Sequence, residues 1–116
     1  MLNAFRGEQG MAHVSASRKL ERVAEKHGAD MARNGFFSHQ GSDGSSISDR
    51  ALRGGYRYCV IAENIAKGQR SLQQVMREWV NSPGHRRNML LKRVSEAAVT
   101  RGPGDIWVMV LGHAGC

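Results

Sequence analysis

The stretch "RVSEAAVTRGPGDIWVMVLGH", Arg93 to His113, decides the fold class. Two apolar runs, "RVSEAAVTR" and "DIWVMVLGH", flank "GPG", and that pattern reads as a β-hairpin with its turn at the glycines. Upstream of it, "SLQQVMREWV" (Ser71–Val80) reads as a helix. Ser71 with Gln74 makes a capping box, and Leu72, Val75, Met76 and Trp79 form one face. Pro83 is expected to end that helix. "YRYCVIAENIAKG" (Tyr56–Gly68) reads as a strand that ends around Glu63 or Asn64. The clearest helix lies in "SASRKLERVAEKHGADMARNGFF", where Leu20, Val23, Ala24, His27 and Met31 recur at three- and four-residue spacing opposite Arg, Lys and Glu. Ser17 can cap its start and Gly35 its end. Residues 2–9 look helical, "SISDRALRGG" allows one or two helical turns, and "SHQGSDGSS" is a Gly/Ser loop.

Helices and strands therefore do not alternate strictly. The expected class is α+β, with a sheet of three or four strands covered by helices. The expected core contains Leu20, Val23, Met31, Val75, Trp79, Ile106, Val108 and Val110.

A chain of 116 residues is the size of one compact domain, so residues 1–116 are read as a single unit. No window approaches eighteen consecutive apolar residues, which excludes a helical membrane span from the expectations. "MLNAFRGEQG" is no charged-then-apolar leader, so either the protein is cytoplasmic or a signal peptide has been trimmed and Met1 added. The net charge of +7 favours anionic partners. The charges are scattered, however, and aromatics are not interleaved with them, so a solvated basic surface is expected and nucleic acid is not. Two cysteines, Cys59 and Cys116, are too few for a disulfide framework. If their segments are neighbouring strands, a bridge would pin the C-terminus; in a reducing compartment they would stay thiols.

Three polar positions resist a packing explanation. His39 opens the Gly-rich loop, Glu63 interrupts an apolar strand with Asn64, and His85 follows Ser82-Pro83-Gly84. Two imidazoles and a carboxylate could bind Zn²⁺ with an open position or form an acid/base cluster. The bland alternative is a polar network that holds loops onto the sheet. Other candidates are weaker. His27 lies on an apolar helix face and reads as a partly buried structural histidine; His13 and His113 read as surface or terminal. Ser38, Ser42, Ser45 and Ser46 lack a nucleophile elbow, Cys59 lacks a neighbouring His, and Asp43 with Asp49 lacks the EF-hand ligand order.

Taken in order, "LNAFR", "FFSH", "GYRYCVIAENIA", "VMREWVNSPGHRRNML" and "WVMVLG" make the chain resemble the bacterial branch of the CAP superfamily of SCP-like domains. The resemblance spans nearly the whole chain. It implies an α-β-α sandwich and an extracytoplasmic (secreted or periplasmic) protein, and it strengthens the case for a Cys59–Cys116 disulfide. It further implies a cleft lined by two His and two Glu that holds a divalent metal such as Zn²⁺ in several members. His39 matches the first His, Glu63 the first Glu and His85 the second His. Ser82 stands where the second Glu is expected, and Glu78 is out of register. The set is thus reduced to a triad, which implies a more weakly held metal.

The functional expectation is a monomeric binding module whose cleft takes a metal and a small or lipidic ligand, or an anionic cell-surface component. The alternative is a metal-dependent hydrolase acting on a peptide or cell-wall substrate, and a purely structural role stays open. Whether there is catalysis is undecided at this point.

Overall fold

The computed structural model describes residues 1–116. In chain order the elements are α1 (Leu2–Glu8), β1 (Ser15–Ala16), α2 (Arg18–Asn34), α3 (Ile47–Arg53), β2 (Tyr58–Lys67), α4 (Leu72–Val80), α5 (Pro83–Met89), β3 (Glu96–Gly102) and β4 (Ile106–Ala114). They build one four-stranded sheet in the order β1-β3-β4-β2. β4 runs antiparallel to both neighbours, and β1 is parallel to β3. The α+β class follows, with helices on both faces of the sheet.

The layering comes from β4. Its side chains alternate strictly, because successive residues of a strand point to opposite faces. Ile106, Val108 and Val110 pack with Leu20, Val23, Ala24 and Met31 of α2, while Trp107, Met109 and Leu111 pack with Val75, Met76 and Trp79 of α4. A strand apolar on both faces needs cover on both, and the two helical layers provide it. All eight core residues expected from the sequence are buried.

Local chemistry sets the helix ends. Ser17 accepts from the Leu20 amide, and Gly35 closes α2 in the left-handed region at φ 65°, where a Cβ would be strained. Ser46 and Asp49 form a complete capping box on α3. At α4 the box is displaced. Ser71 accepts from Gln74, but the Gln74 side chain takes the amide of Arg70 instead of Ser71.

Two expectations need correction, and one element goes unannounced. Pro83 does not simply end a helix. α4 stops at Val80, and Pro83 opens α5 at its first position, where a missing N–H costs nothing. β2 does not stop at Glu63 or Asn64. Its ladder continues through Asn64↔Met109 to Lys67↔Ile106, because the backbone pairs regardless of what the side chains carry. The two-residue β1 was not expected, being too short to leave a periodic signal; it adds an edge through Ser15↔Glu96.

The disulfide Cys59–Cys116 joins the start of β2 to the segment just beyond β4, with Cα atoms 6.0 Å apart. Neighbouring strands, as the sequence reading required, bring the two cysteines together. Arg6 was not singled out by the sequence, yet it is wholly buried. Its guanidinium donates to the carbonyls of Ala12, Met89 and Leu91, tying α1 to the end of α5.

Candidate functional site: a buried carboxylate at the outer strand

β2 is an edge strand, and its alternation splits the polar pair Glu63-Asn64. Ile61 and Ile65 pack on the α2/α3 side while Ala62 and Ala66 pack on the α4/α5 side. Glu63 therefore faces α2 and α3, and Asn64 faces α4 and α5. Each polar side chain is answered by a different layer.

Glu63 is a buried carboxylate, and a buried charge is tolerated only when paired and hydrogen-bonded. Both oxygens are satisfied. Arg50 of α3 donates from Nη2 to Oε2 at 2.9 Å, and His39 Nδ1 lies 2.9 Å from Oε1. Because a carboxylate accepts, the His39 Nδ1–H donates and fixes the tautomer that leaves Nε2 open. Arg50 also donates from Nη1 to the carbonyl of Ser45, so the loop before α3 is held by the same side chain.

His27 is the third imidazole on this side. Its Nε2 is 2.8 Å from the Ser38 carbonyl, which can only accept, so Nε2 carries the proton. Its Nε2 also lies 4.0 Å from Glu63 Oε1. Burial pushes the His27 pKa below its ordinary value, outweighing the pull of the Glu63 carboxylate, and the Arg50 charge pushes the same way as burial. His27 is thus neutral, and its approach to Glu63 is a contact between a ring and a carboxylate that Arg50 has already compensated. Its Nδ1 is buried without a partner, as is Arg50 Nε.

On the other face, α5 is stitched to β2 by amides. Asn64 Nδ2 donates to the His85 carbonyl at 3.1 Å, and Asn88 Nδ2 donates to Asn64 Oδ1 at 2.9 Å and to the Glu63 carbonyl at 3.3 Å. The His85 ring pairs through Nδ1 with Ser82 Oγ at 2.9 Å. Burial lowers the pKa of His85, and the imidazole of His39 lowers it further, since two positive rings near each other repel.

The structure thus joins His39 to Glu63 directly, while His85 bonds to Ser82. No group of three or more His, Cys, Asp or Glu side chains is drawn together in the manner of a metal site. The chemistry of the donors says what could fit. Glu63 has both oxygens engaged, whereas His39 and His85 each spend Nδ1 on the protein and make no protein hydrogen bond through Nε2. Any ligand role of these residues would therefore run through the two Nε2 atoms, with Glu63 orienting and not ligating, and two imidazoles do not make a closed four-ligand site.

The remaining candidates have local partners. Asp49 caps α3, Asp43 takes the Ser45 amide and the Arg53 guanidinium, and His113 pairs with Ser95 at 2.6 Å; His13 is exposed. Sequence reasoning missed Arg50, and the signal for it was indirect: a charged Glu inside an apolar strand demands a cation. It treated Ser82 as a lost carboxylate, whereas the hydroxyl holds the second imidazole.

Comparison with known proteins agrees with this architecture. A family model described as "Cysteine-rich secretory protein family" (CAP) matches residues 1–110. The chain is 33% identical over 108 residues to the uncharacterized protein YkwD of Bacillus subtilis, covering 92% of this chain and 42% of that one. It is 31% identical over 90 residues to the uncharacterized membrane protein YlbC of the same organism, covering 78% of this chain and 26% of that one. The chain therefore spans less than half the length of these curated relatives. Among solved structures, an extracellular protein containing an SCP domain from Bacillus anthracis superposes with a TM-score of 0.92 at 25% identity, covering 97% of this chain and 37% of that one. An outer surface protein of Borrelia burgdorferi superposes with a TM-score of 0.91 at 21% identity, covering 98% of this chain and 87% of that one, a likeness of fold.

Proposed function

The chain belongs to the cysteine-rich secretory protein (CAP) family, and on that premise we propose that it is an extracytoplasmic binding module whose His39 and His85 imidazoles take a divalent cation such as Zn²⁺, with Glu63 orienting the His39 ring. The observation that carries this reading is the double engagement of Glu63. With one oxygen on Arg50 and the other on His39, the carboxylate orients an imidazole and is not itself free to act as a base. What the cluster offers outward is therefore two imidazole nitrogens, of His39 and His85, and these are ligands more than they are catalysts. When bound, the cation would supply Lewis acidity and an exchangeable position for an oxygen-bearing ligand. Glu63 would hold the His39 ring, Ser82 the His85 ring, and Asn64 with Asn88 would hold α5 at the strand edge. A metal-dependent hydrolase would need a free general base beside that position, and Glu63 does not provide one.

The compartment belongs to the same reading. The structural relatives are described as an extracellular and an outer surface protein, the Cys59–Cys116 bridge suits an oxidising environment, and no helix is long and apolar enough to cross a membrane. Residues 1–116 would act as one unit and as a monomer. The test is calorimetric titration of tag-free protein with Zn²⁺ at about pH 7.5, above the ordinary imidazole pKa, beside a His39→Ala/His85→Ala double variant. One weak site that disappears in the variant is expected; no uptake by the wild type, or equal uptake by both, would overturn the proposal.

A further inference from the structure

A groove of about 660 Å³ runs between α2 and α3 on the face opposite α4 and α5. Its walls carry five cationic side chains, Arg22, Lys26, Arg33, Arg50 and Arg53, against two carboxylates, Asp30 and Asp43. The partners of these groups decide what is left over. Arg53 is paired with Asp43, and Arg50 with Glu63. Asp30 accepts from the Ser42 amide and from Asn34, so neutral donors already satisfy it. Arg22, Lys26 and Arg33 make no hydrogen bond or ion pair with the protein and are exposed.

These three share one stripe of α2. At 3.6 residues per turn, positions 22, 26 and 33 fall within about 40° of one another, and at 1.5 Å per residue they spread over about 16 Å of the axis. That is longer than one phosphate and suits a chain of them. The groove floor is formed in part by members of the Glu63 network. His27 lines it with a side chain of 0% exposure whose Nδ1 has no partner, and Arg50 lines it with a buried Nε–H that also has none. Buried polar groups without partners are uncommon and call for a ligand or a water. Both atoms are sealed from solvent, so a water suits them; the ligand itself meets the exposed Ser42 hydroxyl beside the three free cations, which favours hydroxyls as well as anionic oxygens.

We propose that the α2–α3 groove binds a phosphate-bearing polyol chain, with Arg22, Lys26 and Arg33 on successive phosphates. The scattered basic charge of the sequence thereby acquires one focused use. His27 and Arg50 lie behind both this groove and the Glu63 carboxylate, whereas Arg22, Lys26 and Arg33 belong to the groove alone.

The test uses the whole chain and poly(glycerol phosphate) as probe, at about 50 and about 200 mM salt, beside glycerol 3-phosphate, phosphatidylglycerol vesicles and a single-stranded DNA oligonucleotide. An Arg22→Gln/Lys26→Gln/Arg33→Gln variant is compared with a charge-matched control, Arg70→Gln/Arg77→Gln/Arg93→Gln. Because all six residues are exposed, both variants should fold, and circular dichroism checks this. The expected result is binding of the polymer that weakens at least about tenfold in the groove variant, is changed less than about threefold in the control, and falls with salt. Much weaker binding of the monomeric phosphate is expected for a site spanning several charges. Equal losses in both variants, or DNA binding as tightly with the same dependence, would reduce the groove to general basicity and overturn the proposal. Binding to vesicles but not to the soluble polymer would replace it with a membrane surface. Zn²⁺ uptake should be unchanged in the groove variant, which separates failure here from failure of the cation site.

Discussion

Replacing Arg50 with Met removes one charge from the centre of the Glu63 network and leaves most of the apolar stem volume in place. The Arg50 side chain is only 10% exposed and that of Glu63 only 1%, so their pair lies out of water. Removing one member of a buried ion pair typically costs about 3–5 kcal/mol, because the remaining charge is stranded. Two structural details place the expected cost near the lower end. His39 still donates to Glu63 Oε1, and the unpartnered Arg50 Nε disappears with the guanidinium. The lost bond to the Ser45 carbonyl acts the other way. We expect a net loss of about 3 kcal/mol. Urea unfolding followed by tryptophan fluorescence should show it as a midpoint lowered by about 2 M, for a slope of about 1.5 kcal/mol/M. An Arg50→Met/Glu63→Leu variant, in which neither charge remains, should recover at least half of the loss. A cost below about 1 kcal/mol for Arg50→Met would refute the idea that Arg50 neutralises Glu63. A double variant as unstable as the sum of the single ones would refute the coupling between them.

Trp79 is 1% exposed and donates from Nε1 to the Ile65 carbonyl, so Trp79→Ala should cost about 3–5 kcal/mol in the same assay; a cost under about 1 kcal/mol would remove Trp79 from the core. Cys59 and Cys116 are 57 residues apart, and on the chain-entropy account a Cys59→Ser/Cys116→Ser variant should lose about 4 kcal/mol. Non-reducing mass spectrometry should find no alkylatable thiol in the parent protein, and two labelled thiols would contradict the bridge. His27 and His85 both have pKa values lowered from an ordinary 6.5, so the folded protein holds fewer protons there than the unfolded chain. Their contribution to stability is complete above about pH 6.5 and is lost as the pH falls below it. Unfolding between about pH 7.5 and about pH 5 should show that decline, and a His27→Gln variant should flatten it; a profile unaffected by the substitution would argue against a neutral, buried His27.

The elements with strong periodicity are legible in the sequence itself. α2 announces itself by the spacing of Leu20, Val23, Ala24, His27 and Met31, and the hairpin by two apolar runs around Gly102-Pro103-Gly104. What failed was read from single residues. Pro83 signals a break between helices, but the same residue is also the best start of the next helix, and only the chain beyond it decides between the two. Glu63 read as the end of a strand because charge in an apolar run looks like an exit; its partners come from residues 24 and 13 positions away, which no local pattern reveals. The site was half legible for the same reason. His39, Glu63 and His85 stood out as polar residues at element boundaries, and the resemblance to CAP proteins grouped them. The roles of Arg50, Asn64 and Ser82 depend on which face of β2 each residue meets. That follows from strand register, and register was set by β4 and not by the motif itself.

The central claim is that Glu63 orients the His39 imidazole and leaves its Nε2 facing outward. Long-range ¹H–¹⁵N correlation spectra of ¹⁵N-labelled protein at about pH 7.5, above the ordinary imidazole pKa, read the tautomer of each histidine directly. His39 should carry its proton on Nδ1 and His27 on Nε2, opposite tautomers in one network, and Glu63→Gln should disturb the first more than the second. His39 protonated on Nε2, or averaging between tautomers as a free surface histidine does, would contradict the account.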